Sequence, residues 1–117
     1  MPFVAWVPPA EPVLHLRAMA RRIAALVVER TRERHRLHAL TASAAHLAVV
    51  ANDLAVNIRH LERRTELLTA QAVALIAAHP DLQRAFDRVT SVPGIAAHSA
   101  VQLLPELLVL PHDMTAT

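Results

Sequence analysis

The 117-residue chain has no cysteine, no lysine and no tyrosine, a single glycine, and only 3% aromatic residues. Without cysteine there is no disulfide and no thiolate metal site, as expected of a reducing compartment, and the cytoplasm is the expected location. With so few aromatics, a core must be built from Leu, Val, Ile and Ala, and a 54% apolar content supplies enough of them. So little glycine among so many such residues favours helix over sheet. No run of about 18 apolar residues occurs, which argues against a membrane span. The opening residues, Met1 to Trp6, lack a basic n-region and are followed by prolines, so they do not read as a signal peptide. All 12 basic residues are arginine, but the net charge is only +2. The high isoelectric point of 11.0 reflects the absence of groups titrating between His and Arg. By itself it is weak evidence for nucleic acid.

What the chain does contain is helical periodicity. Pro2, Pro8, Pro9 and Pro12 mark residues 1–12 as an extended lead-in. Over 13–40, Leu16, Met19, Ile23, Leu26, Leu37 and Leu40 recur in the three-four alternation of a coiled-coil seam, interrupted by Arg30 and Glu33. Residues 41–45 form a small-residue break, with Ser43 the expected N-cap of the next helix. That second long helix is predicted over 45–78, with Val50, Leu54, Ile58, Leu61, Leu68, Ala72 and Leu75 as its seam. Glu62 and Glu66 stand among arginines on a face expected to be solvated. Pro80 interrupts, and Asp81 is placed to cap a short helix reaching about residue 89. A last helix is predicted from Ala97, and Pro105 should kink or end it. The stripes of the two long helices, Leu16, Ile23, Leu26, Leu54, Ile58 and Leu61, predict a partner helix and a homo-oligomer.

Two constellations could touch a ligand. The first is Val92-Pro93-Gly94-Ile95 between two helical stretches. Gly94, the only glycine, should adopt φ > 0 to reverse the chain. The next backbone N–H groups, from Ile95 and Ala96 through Ala97, His98 and Ser99, open a helix and lack intrahelical partners, so they can hold a phosphate. That is a helix-hairpin-helix reading; the other is a plain helical corner. The second constellation is Arg30, Arg32, Arg34 and Arg36. They spread over two faces of two helical turns and read either as phosphate contacts or as a solvated face paired with Glu29 and Glu33.

No catalytic chemistry emerges. His35 and His38 are three apart, but no Glu-x-x-His arrangement accompanies them, and no metal site is expected. The acids are dispersed beside arginines, without a pair suited to acid–base work. Ser43, Ser91 and Ser99 lack the surroundings of a nucleophile.

Taken in order, the motifs resemble a transposase of the insertion-sequence one-ten family, described together with the one-sixteen and nine-oh-two elements. The residues that carry this are Trp6-Val7-Pro8-Pro9, Arg30-Thr31-Arg32-Glu33 with Arg36-Leu37-His38, and Leu61-Glu62-Arg63-Arg64. Further along stand Ser91-Val92-Pro93-Gly94-Ile95, Leu103-Leu104-Pro105-Glu106-Leu107, and Leu110-Pro111-His112-Asp113-Met114-Thr115. The resemblance implies an RNase-H-like domain with four acidic metal ligands, a coiled coil, and a C-terminal domain that opens with a helix-hairpin-helix and later supplies a serine nucleophile. It also implies a structured RNA that pairs donor and target DNA. This chain looks like the middle portion, beginning after the four acids and stopping before the serine. It is therefore expected to be a truncated fragment with no catalytic residue and no cofactor of its own, the divalent metal site of the parent lying outside it. Ala96 departs from the family, which usually has a second glycine there; its Cβ stands where a phosphate would approach. Pro105 also stands where a helix former is more usual.

The expectation is an all-α chain: a lead-in over 1–12, an antiparallel coiled-coil hairpin over 13–79, and a helix-hairpin-helix over 80–117. Its expected partners are DNA, structured RNA and a second copy of itself, with no membrane. Its expected role is dimerisation and backbone contact in DNA transposition. The alternative is a purely structural self-association module that binds no nucleic acid.

Overall fold

A computed structural model describes residues 10–43 and 47–109. These residues form four helices and no strand: α1 (Glu11–Ala42), α2 (Ala48–Ala77), α3 (Pro80–Thr90) and α4 (Ala97–Val109). The chain is all-α. Most of the expected lead-in, the Trp6 motif, and the motif from Leu110 to Thr115 lie outside the described residues. Pro12 does not extend the lead-in: it stands in the first turn of α1, where the missing N–H would have had no partner anyway.

α1 and α2 pack along each other. Asn57 on α2 meets Glu33 on α1, and Glu62 meets Arg34. Nearer the other end, Leu16 and Ile23 share a core with Ala72 and Ile76. Contacting positions rise along α2 as they fall along α1, so the helices run antiparallel. α3 and α4 close over this second end. Leu82, Val101 and Leu104 complete the core, and Phe86 and Val89 pack against it. Glu106 on α4 reaches Arg17 and Arg21 of α1 at 3.6 and 3.2 Å.

The apolar stripes are expected from sequence to need a second chain. All of their residues but Leu54, which is half-buried, are instead covered within this one. Leu16, Ile23 and Leu26 are fully buried, and Leu61 and Ile58 nearly so. Each such side chain contributes about 1.5–3 kcal/mol on leaving water. The facing helix of the hairpin supplies the partner that the long seam requires.

Helix ends differ from expectation in three places. Ser43 is not the N-cap of the second helix: it stands at the C-cap of α1, its backbone N–H donating to Leu40 O at 3.1 Å, and Leu47 is the N-cap of α2. Asp81 does not cap α3. His79 occupies that position, and Asp81 lies in the first turn, paired with Arg84, where its charge suits the helix dipole. Pro105 does not end α4, which continues to Val109. The Pro105 ring is fully buried, and that packing offsets the backbone bond which a proline cannot donate.

The molecule is long, 71 × 28 × 28 Å, with a radius of gyration of 19.2 Å. A compact chain of this length would have about 13 Å. The four-helix end holds the core; the remainder is two helices thick.

Candidate nucleic-acid interface

The turn between α3 and α4 is built around Gly94, whose φ of +89° lies in the left-handed region. Among the described residues it alone has positive φ. No other residue type adopts that conformation as cheaply. The turn then closes on itself, because the Ile95 N–H donates to Val92 O at 3.2 Å. That amide is spent, so Ile95 is not an anion donor as the sequence suggested. Ala96 is the N-cap, its carbonyl accepting the Ala100 N–H at 2.9 Å. The next three amides, of Ala97, His98 and Ser99, begin the helix without intrahelical acceptors. All three residues are exposed.

The four arginines separate according to helical phase. Arg30 lines a cavity of about 530 Å³ between α1, α2 and the start of α4. Glu62, Thr65, Glu66, Thr69 and His98 share its wall. The Arg30 Nε is enclosed and has no hydrogen-bond partner among the described residues. Thr65 and Thr69 donate their hydroxyls to Leu61 O and Thr65 O, both at 2.8 Å, so they can offer the cavity only lone pairs. Arg34, on the same side of α1, reaches Glu62 at 3.5 Å.

Arg32 and Arg36 face elsewhere. They line a smaller depression of about 250 Å³ with Glu29, Glu33 and Asn57. Glu33 is buried between the helices. Its carboxylate accepts from Asn57 Nδ2 at 2.7 Å and from the Arg36 guanidinium. The bond from Asn57, then that from Arg36, holds its pKa below the ordinary carboxylate value against the opposing effect of burial.

One part of the turn and one part of the arginine cluster thus converge, His98 with Arg30. Arg32 and Arg36 do not join them. Asn57 escapes a reading of the sequence because it is an ordinary polar residue beside a seam. Only the charged Glu33 at a seam position on the facing helix hints that a polar partner is needed. Among the described residues, no three His, Cys, Asp or Glu side chains come together as metal ligands. No described helix is long and apolar enough to cross a membrane.

No family model, curated protein or solved structure matches this chain.

Proposed function

We propose that this chain is the helical, backbone-contacting part of a DNA transposase, working as a self-associated hairpin that holds DNA or structured RNA without catalysing a reaction. The observation that carries the proposal is the shared cavity of Arg30 and His98. The enclosed Arg30 Nε lacks an acceptor, and His98, from the first turn of α4, lines the same cavity. A phosphate is an acceptor suited to a guanidinium and to the free amides of a helix N-terminus alike. The order of the motifs along the chain supports transposition as the setting. Arg32, exposed on the other side of α1, is a further phosphate contact on this reading. The cavity also holds Glu62 and Glu66, whose charges oppose an anion and leave room for no more than a single backbone phosphate.

The test is binding of the whole chain to duplex DNA and to a folded RNA over a series of salt concentrations. Affinity should fall steeply with salt, and the double variant Arg30→Ala, His98→Ala should reduce the slope by roughly one unit per lost contact. Absence of binding to either polymer at low salt overturns the proposal. A second reading, a structural module without nucleic acid, draws on the pairing of Arg34 with Glu62 and of Arg36 with Glu33. Those carboxylates neutralise two of the four arginines. The same titration separates the readings, because a structural module shows no salt-sensitive binding.

A further inference from the structure

The side of α2 turned away from α1 carries a second periodic stripe. Val49, Asp53, Val56, His60, Arg63 and Leu67 succeed one another at steps of four, three, four, three and four. That alternation keeps all six on one helix face. The buried residues Ile58, Leu61 and Thr65 lie on the opposite face. All six stripe residues are exposed, Val49 by 74%, Val56 by 55% and Leu67 by 59%. Neither Asp53 nor Arg63 makes an ion pair among the described residues.

The steps read the same from either end. Two antiparallel helices meet in opposite order, so only a stripe with this property can pair with a copy of itself layer by layer. Its chemistry is complementary under the same reversal. Val49 falls opposite Leu67, Asp53 opposite Arg63, and Val56 opposite His60. A parallel pairing would set Asp53 against Asp53 and Arg63 against Arg63.

We infer that α2 pairs with α2 of a second copy, antiparallel, about a two-fold axis midway between Val56 and His60. The occupant of the exposed face is this same chain. Each dimer then contains two Asp53–Arg63 pairs in place of four unpaired charges, and the apolar ends of the stripe close on each other over about 27 Å of helix. The polar layer fixes register and direction, as a charged or amide residue does in a coiled-coil seam. Arg59, next to His60, meets its own copy near the axis and is the one unfavourable neighbour in this pairing. The inference rests on the self-association proposed for this chain and names its surface, which is not the seam that the sequence suggested.

The experiment is sedimentation equilibrium of the whole chain, with circular dichroism to verify the helices. Four samples are compared with the unaltered chain: Asp53→Arg, Arg63→Asp, an equimolar mixture of the two, and Arg59→Ala. Each reversal alone turns two attractive pairs into two repulsive ones and should weaken the dimer at least about tenfold. The mixture restores opposite charges across the axis and should recover the original affinity. Arg59→Ala should tighten the dimer. Dimers that ignore the reversals, or a mixture that stays weak, overturn this register and leave self-association standing. A chain that is monomeric at its highest soluble concentration overturns both.

Discussion

The Glu33 carboxylate on α1 and the Asn57 amide on α2 meet at 2.7 Å across the hairpin, 24 residues apart in sequence. Toward the four-helix end the interface beside them is apolar, with Leu26, Ile58 and Leu61 buried. A half-charged, half-amide bond at such a place ties one turn of α1 to one turn of α2. A slip of either helix would leave a buried carboxylate short of a donor, at a cost of about 1.5–3 kcal/mol. The pair therefore sets the register of the hairpin.

This bond makes stability depend on pH with a definite sign. Glu33 has a folded pKa below its ordinary value of 4.5. Its contribution is thus complete above that value and is lost as pH falls through the folded pKa. Urea unfolding at pH 7 and at pH 3 should show a larger loss for the unaltered chain than for Glu33→Gln. Equal losses would mean that Glu33 is not linked to folding. Asn57→Ala should cost about 1–3 kcal/mol at pH 7, since it leaves the carboxylate only Arg36.

Gly94 gives a backbone prediction free of steric complication. A Cβ added there would meet nothing within 4 Å, so only the positive φ opposes a side chain. Gly94→Ala should lower stability by about 1–2 kcal/mol, with Gly94→Asn losing less because Asn tolerates that region. Chemical denaturation of the two variants would show it. Equal stability of all three proteins would mean that the turn has another accessible conformation.

Ala96 is the N-cap of α4, outside the helix, and alanine is among the poorest residues for that position. Ala96→Ser should stabilise the chain by about 0.5–2 kcal/mol, and Ala96→Gly by less. If the Ala96 Cβ also obstructs a phosphate, Ala96→Gly should strengthen binding to duplex DNA while Ala96→Ser does not. Thermal melts and a binding titration on the same preparations separate the two effects.

Glu62 and Glu66 oppose an anion in the Arg30 cavity. Glu62→Gln should release Arg34 from its 3.5 Å pairing and tighten DNA binding severalfold at low salt. Its effect on stability should stay below about 1 kcal/mol, because the pair is substantially exposed. A fall in affinity would place the phosphate elsewhere than this cavity.

Much of the fold is legible in the sequence because it is periodic. Leu16, Ile23 and Leu26 against Ile58 and Leu61 announce two helices with long apolar faces, and one glycine beside Pro93 announces a reversal. What periodicity cannot express is the identity of the partner. The same stripes fit a second chain or a second helix of this chain, and Leu16, Ile23, Leu26, Ile58 and Leu61 are buried within this one. Glu33 looks like an interruption of the seam while polarity is read one helix at a time. Its donor comes from Asn57 on the other helix. Pro105 reads as a stop because the lost N–H is visible in sequence, whereas the burial that compensates it is not. The two faces of the arginine cluster are legible from helical phase; that Arg30 shares a cavity with His98, 68 residues further along, is not.

The length of the molecule has a dynamic consequence. Amide hydrogens of α1 around Ile23 and of α2 around Ala72 sit under the cover of α3 and α4. Those near Leu40 and Val50 belong to a stretch only two helices thick, where large side chains such as Val49 and Val50 remain exposed. Opening that stretch sacrifices little buried area, so it should unzip from the 43–47 connection inward without global unfolding. Hydrogen exchange should therefore grade along the 71 Å axis. Protection should change abruptly at Glu33 and Asn57, the last polar clasp before the thick end begins.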